Sequence, residues 1–232
     1  MNKDFESSLY ILKKNFLNKD VADLSALYAF YNFLSITSNE GFIDQVPLSH
    51  FMYADPLMES LATLSHPKME KITGMELLPT YTYFRIYKPG DILKPHVDRE
   101  ACEISATVCL GWDYKDVADN YRWGIFMEKS QGDYRRGAPC GPHLLEPGDA
   151  VVYKGTLAEH WREKFEAGKE SWHAQVFIHY VDKNGPYAEH IWDRINGPVN
   201  WRGNEVMGYR HHPRRTDCNI DKDKYHYANV HI

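Results

Sequence analysis

Tyr87-Lys-Pro-Gly-Asp-Ile-Leu-Lys-Pro-His96-Val-Asp98 places an imidazole and a carboxylate two residues apart in an extended, apolar-rich setting. Side chains at i and i+2 of an extended segment point to the same side, so His96 and Asp98 are placed to grip one ion together. A further histidine follows in Pro147-Gly-Asp-Ala-Val-Val-Tyr-Lys-Gly-Thr-Leu-Ala-Glu-His160-Trp-Arg162, just past another strand-like run. Two imidazoles and one carboxylate on one face of an octahedron leave the remaining positions open. Taken singly, a histidine is more often structural or solvated than ligating, and an HxD pair arises by chance in many chains. The order of the motifs, not any one of them, carries the signal.

The flanks of this motif point to the fold class. Leu77-Leu78-Pro-Thr-Tyr-Thr-Tyr-Phe-Arg-Ile-Tyr87 is rich in β-branched and aromatic residues and reads as a strand. Further strands are expected at Cys102 to Leu110, Trp123 to Glu128, Leu144 to Leu145, Ala150 to Tyr153 and Trp172 to Val181, separated by turn-forming residues. Upstream, apolar positions from Phe5 to Phe30 fall at helical spacing and predict one or two amphipathic helices within residues 3–37. Another helix is expected from Asp55 to Leu64, with Pro56 in its first turn. The pattern is mainly β with flanking α: a jelly roll or other double-layer β architecture with N-terminal support helices. One domain is expected over residues 1–232, with a helical support region (1–75), a β core (76–181) and an extension (182–232) that packs on the core or covers the site.

Composition narrows the function classes. The chain has 43% hydrophobic and 25% charged residues, the balance of a folded globular protein. A net charge of −5 argues against nucleic acid as a partner, because phosphate neutralisation needs clustered Lys and Arg. No apolar run reaches the roughly 18 residues a membrane helix needs, and the first residues lack a secretory apolar core, so a cytoplasmic protein is expected. Cys102, Cys109, Cys140 and Cys218 show no CxxC spacing and read as reduced thiols.

Tyr87, Pro89-Gly90, His96-x-Asp98, a β-rich middle, Pro147-Gly148-Asp149, His160 and a last strand follow one another in an order that resembles the prolyl-4-hydroxylase-like branch of the 2-oxoglutarate/Fe(II)-dependent dioxygenases, over residues 76–181. The resemblance implies a double-stranded β-helix, Fe(II) held by His96, Asp98 and His160, 2-oxoglutarate and O2 as cosubstrates, and ascorbate as a supporting reductant. It further implies hydroxylation of an unactivated carbon of an amino-acid side chain, in a peptide (proline, for example) or in a free or carrier-bound small molecule. Asp98 occupies the carboxylate position, which disfavours halogenation.

The cosubstrate's distal carboxylate needs a cation, since a buried carboxylate without partners is costly. Three residues compete for that role. Lys169, nine residues past His160, has the spacing found in hydroxylases of this branch and a charge independent of pH; His173 takes the inward position if the strand begins at Trp172; Arg162 is the third. The resemblance gives Tyr87 a hydrogen bond to the cosubstrate, and Thr107 or Ser105 faces the cavity if the polar side of its strand lines it. Asp149 reads as a turn residue, and the loop from Trp112 to Tyr121, with Arg135-Arg136, either contacts substrate or is a solvated loop, the latter being the preferred reading. Two other readings stand beside the oxygenase: a non-catalytic jelly-roll module that binds a carbohydrate or a partner, and a cupin-like metalloenzyme that uses no keto acid.

Overall fold

The computed structural model describes residues 2–35, 46, 49–128 and 139–192. In chain order it forms α1 (Lys3–Glu6), β1 (Tyr10–Lys13), α2 (Lys19–Ser35), β2 (His50–Tyr53), α3 (Pro56–Thr73), β3 (Leu77–Tyr87), β4 (Leu93–His96), β5 (Ile104–Asp113), β6 (Ile125–Glu128), β7 (Pro139–His143), β8 (Ala150–Lys154), β9 (His160–Arg162) and β10 (Trp172–Asp182). Short 3-10 turns cover Glu100–Cys102 and Ala188–His190. The strands make two antiparallel sheets, β1-β8-β5-β10-β3-β2 and β4-β9-β6-β7, flanked by helices. No helix among the described residues is long and apolar enough to cross a membrane.

The larger sheet is buried on both faces, and the two faces differ in chemistry. Phe84, Ile86, Val108, Val152, Val176 and Ile178 form one apolar cluster with Ala26, Met58, Leu61 and Met69 of the helical layer and with Phe16 just ahead of α2. Each such buried side chain contributes about 1.5–3 kcal/mol, so this interface anchors the sheet. The alternate positions, pointing the other way, carry Arg85 and Tyr87 on β3, Ser105 and Thr107 on β5, and His173, Gln175 and His179 on β10, all buried. An interior face this polar is unusual for a core.

Two turns bring the smaller sheet over that face. Between β3 and β4 the Asp91 carboxylate accepts from Lys88 N–H at 2.7 Å, and Gly90 takes φ 96°, a conformation that favours glycine. Gly90 N–H then donates to Phe165 O at 2.9 Å, and Phe165 N–H to Asp91 O at 2.8 Å, tying the turn to the segment after β9. Asp149 is likewise structural: its carboxylate accepts from Glu146 N–H, Asn15 N–H and Lys14 Nζ.

Several sequence expectations need correction. The helical spacing over residues 3–37 hides a break: Tyr10–Lys13 is strand β1, paired with β8. Its Tyr-Ile-Leu run satisfies an open sheet edge, and that tertiary partner overrides the local period. Helix α3 does not stop near Leu64 but continues to Thr73 through Pro67, because Met69 and Ile72 are buried against the core and Gly74 closes it in a left-handed cap. The strand expected at Leu144 to Leu145 is absent; the pairing strand is Pro139–His143, whose Gly and Pro content masks it. Cys102 lies in a 3-10 turn ahead of β5 rather than in the strand. Strands β2, β4 and β9 are too short to show a period. Of the extension, Trp192 N–H donates to Pro79 O at 2.9 Å and Ala188 packs with Leu78 and Val181. The rest, from 193 on, including Trp201, His211-His212 and Arg214-Arg215, lies outside the described residues, as do Cys218 and Arg135-Arg136.

Asp55 fixes where α3 starts. Its carboxylate accepts from Leu57 N–H (2.9 Å) and Met58 N–H (3.1 Å) through one oxygen and from the Tyr28 hydroxyl (2.7 Å) through the other. Asp55→Ala removes both the cap and the tie to α2, and should destabilise the fold by about 2–3 kcal/mol in urea unfolding. Asp55→Asn keeps an acceptor for the helix N-terminus and should lose about half as much; equal losses would show that capping is not what Asp55 supplies.

Candidate metal centre

The register between β4 and β9 puts His96 directly opposite His160, and opposed residues of an antiparallel pair share a face. Their ring centroids are 4.3 Å apart. Just beyond β4, Asp98 N–H donates to Gly155 O at 2.8 Å, which turns the Asp98 carboxylate back between the rings. Asp98 Oδ1 lies 3.7 Å from Nε2 of His96 and 3.7 Å from Nε2 of His160. One donor atom from each residue falls within 4.8 Å of the others.

The imidazoles are oriented for lone-pair donation. His96 Nδ1 is 2.8 Å from Lys94 O, and His160 Nδ1 is 3.0 Å from Ala158 O. A carbonyl only accepts, so both Nδ1 atoms carry the proton and both Nε2 atoms present lone pairs towards Asp98. Burial lowers the His160 pKa to about 4, and burial followed by the His160 charge lowers that of His96. At neutral pH the histidines are therefore uncharged, and their contacts with Asp98 are not ion pairs. Burial pushes the Asp98 carboxyl up to about 6, against the opposing pull of His96 and of hydrogen bonds from Tyr153 and Ser105. Two neutral imidazoles and a carboxylate form a donor set that fits a divalent transition metal. Gly155 leaves room for the Asp98 carboxylate: a Cβ there would collide with the Cys102 carbonyl and sit 2.8 Å from Asp98 Oδ2.

Two residues along β9, Arg162 points inward as His160 does and is 1% exposed. Its Nη1 donates to Trp123 O at 2.7 Å, but Nε and Nη2 are buried without a hydrogen-bond partner among the described residues. The guanidinium lies 4.7 Å from the Trp123 ring centre and 5.9 Å from that of Tyr87. Nearby, Gln175 Nε2 and His173 Nε2 are also buried without a hydrogen-bond partner among the described residues. Gln175 is aimed by Thr107, whose hydroxyl donates to its Oε1 at 2.6 Å. His173 Nδ1 is 2.7 Å from the Tyr114 hydroxyl, and burial, then the Arg162 charge, holds His173 neutral. A buried cation with free donors beside it is arranged to receive an anion.

The structure thus brings His96, Asp98 and His160 together, and groups Arg162, Tyr87, His173 and Thr107 beside them. Ser105 sits on the metal side, its Oγ 3.5 Å from Asp98 Oδ2. Lys169 is exposed in a turn, on a surface depression with Pro89, Gly90, Asp116 and Lys164, away from the buried donors. The loop after Trp112 is not wholly solvated, because Tyr114 reaches His173. Sequence reasoning passed over Gln175, Tyr114 and Trp123. A signal existed for Gln175, which is a polar residue two positions from His173 and so on the same face of its strand.

Metal affinity should carry the pH signature of Asp98. Because its carboxyl is raised to about 6, an incoming ion has to displace a proton below that pH. Mn2+ affinity, measured by quenching of intrinsic fluorescence or by calorimetry, should be flat above pH 7 and fall about tenfold per pH unit below about 6. It should fall more steeply near pH 4, where His160 protonates. An affinity constant between pH 5 and 7 would remove Asp98 from the ligand set.

No family model matches the chain, and no curated protein matches it in sequence. Solved structures do match in shape. The non-heme alpha ketoglutarate dependent epimerase SnoN from nogalamycin biosynthesis shares 14% identity at a TM-score of 0.60, over 77% of this chain and 79% of that one. A prolyl-4-hydroxylase from Pseudomonas putida shares 15% identity at a TM-score of 0.53, over 77% and 95%. HygX from Streptomyces hygroscopicus, with nickel and 2-oxoglutarate bound, shares 12% identity at a TM-score of 0.54, over 78% and 85%. At such identities the likeness is one of fold, and it extends to epimerase and hydroxylase structures alike: the chain has the fold shared by these three structures.

Proposed function

We propose that this chain is a 2-oxoglutarate- and Fe(II)-dependent oxygenase. The observation that carries the reading is the pairing of a two-histidine, one-carboxylate triad with a buried, uncompensated guanidinium on the same strand. In this reading β3 to β10 are the eight strands of a double-stranded β-helix, within one domain over residues 1–232 braced by the N-terminal helices. His160 and Arg162 are two strand steps apart, about 7 Å between Cα atoms. A five-carbon diacid chelated at one end and held at the other matches such a span.

His96 Nε2, His160 Nε2 and Asp98 would hold Fe(II), which when bound supplies activation of O2 and of the keto acid. The protein's own residues do the positioning. Arg162 takes the distal carboxylate, with Gln175 and neutral His173 donating beside it, and Arg162 displaces Lys169 as the preferred cation. Trp123 and Tyr87 cover the guanidinium and keep water from it, and the Tyr87 hydroxyl lies on the side of the cosubstrate. Ser105 and Tyr153 steady the outer oxygen of Asp98. Hydroxylation of an unactivated carbon in an amino-acid side chain, peptidyl or small-molecule, is the proposed outcome, with ascorbate as a supporting reductant and the cytoplasm as the expected compartment. The fold hosts other outcomes, and the substrate class rests on the sequence resemblance alone. The cupin-like reading lacks support, since no fourth donor joins the triad among the described residues. A binding module gives no reason for an orphaned buried arginine.

Succinate formation from 2-oxoglutarate, dependent on Fe(II) and O2, tests the reading. Asp98→Ala should abolish it. Arg162→Met should raise the KM for 2-oxoglutarate about 100-fold, the loss of a charge-assisted pair of roughly 3 kcal/mol. The same variant should unfold no earlier than the parent without cosubstrate, because it removes an unpaired buried charge. Lys169→Ala should leave KM within about twofold, as an exposed residue does. Undiminished turnover in Asp98→Ala, or an unchanged KM in Arg162→Met, contradicts the assignment.

A further inference from the structure

We propose that Asp98, Cys102 and His179 form a second cation site, suited to a zinc-class ion, that shares the Asp98 carboxylate with the first. One donor atom from each of the three lies within 4.8 Å of the others. Each comes from a different structural feature. Asp98 follows β4, Cys102 ends the 3-10 turn Glu100–Cys102, and His179 is on the inward face of β10, opposite Ser105 of β5. Cys102 and His179 are buried, at 2% and 5% exposure. The oxygenase reading uses neither.

Ser105 sets the protonation pattern of this group. Its Oγ is 2.8 Å from His179 Nδ1, 3.0 Å from Cys102 O and 3.5 Å from Asp98 Oδ2. The hydroxyl has one proton, and both the carbonyl and the carboxylate only accept. The serine proton therefore goes to one of those oxygens, and His179 Nδ1–H donates to Oγ. That tautomer leaves the lone pair on His179 Nε2. Cys102 Sγ is 3.0 Å from the Tyr81 hydroxyl, a donor for the thiolate that metal binding would create. Arg99 lies over the Tyr81 ring at 4.8 Å, and its charge strengthens that phenol as a donor. Ligating groups are commonly held by such outer partners.

The donor chemistry separates the two sites. Thiolate, imidazole and carboxylate in a closed, buried setting suit tetrahedral Zn2+ or its reporter Co2+, whereas the nitrogen- and oxygen-only set at His96 and His160 suits an open octahedral ion. Asp98 Oδ1 faces the two histidines, and Oδ2 lies against Ser105, the hydroxyl that also binds His179 and Cys102. The carboxylate is thus placed to bridge, and binding at either site alters affinity at the other by the same factor.

Anaerobic titration of the full chain with Co2+ reads both sites. Two equivalents should bind, the second bringing the near-ultraviolet sulfur-to-cobalt charge-transfer band of a thiolate ligand, and added Zn2+ should bleach that band. Cys102→Ser, which keeps size and a partner for Tyr81, should lose the band and weaken the second equivalent by more than the about 10–100-fold that loss of an outer-shell group costs. It should keep the first equivalent. His179→Gln should behave the same way, which guards against a folding defect in either variant. Absence of the band at saturating Co2+, or its persistence in Cys102→Ser, overturns the proposal. The oxygenase reading fails separately: loss of the first equivalent with the band retained, or no succinate formed, contradicts that reading and leaves the second site standing.

Discussion

The antiparallel pairing of β4 with β9 is the constraint on which the site depends. It sets His96 against His160, fixes both Nδ1 atoms on backbone carbonyls, and leaves Asp98 at the end of β4 with its N–H on Gly155 O. A one-residue slip would send every side chain of β9 to the other face, taking His160 and Arg162 out of the interior together. β9 is only three residues long, so its own ladder cannot hold that register. The neighbouring ties do so instead: β6 on its other edge, and the Gly90–Phe165 and Phe165–Asp91 bonds at its far end.

The second determinant is a charge the fold leaves unbalanced. Arg162 is wholly inside, stacked near Trp123 and Tyr87, with its Nε and Nη2 unbonded and no carboxylate among its described partners. Leaving one charge of a buried pair alone typically costs about 3–5 kcal/mol, a debt large against the stability of a whole domain. In the proposed reading the distal carboxylate of the cosubstrate completes the pair. Trp123 lies against the guanidinium at 4.7 Å and is itself backed by Phe165, stacked on it at 4.8 Å; these rings keep the local dielectric low, where a carboxylate would gain more than at the surface. The helical layer matters at one remove: its apolar contact with the outward face of β3, β5 and β10 frees the inward face to carry polar residues.

The long strands and the His96-x-Asp98 pair were legible because their determinants are local, and His160 was legible from the order of motifs around it. An eleven-residue run such as Leu77–Tyr87 shows its β-branched and aromatic content outright, and the two-residue spacing of His96 and Asp98 points to one shared side, which the Asp98 N–H to Gly155 O bond completes just past β4. What the sequence hid depends on partners distant in the chain. Tyr10–Lys13 reads as helix until β8 lies beside it, and Pro139–His143 reads as loop until β6 pairs with it. Lys169 had the expected spacing from His160, but its turn projects it into solvent. Arg162 had only its i+2 relation to His160, and burial, which no spacing rule reports, is what distinguishes it. Tyr114 and Gln175 emerge in the same way, from contacts to His173 and Thr107.

The most direct test of the account is anaerobic titration of the Fe(II)-loaded chain with 2-oxoglutarate, following visible absorption. The account predicts a metal-to-ligand charge-transfer band that saturates with cosubstrate, is missing in His96→Ala, and needs far higher cosubstrate in Arg162→Met than in Lys169→Ala. A folded, iron-loaded chain that binds the keto acid without such a band, or that binds none, would contradict the claim that this triad and this arginine serve one cosubstrate.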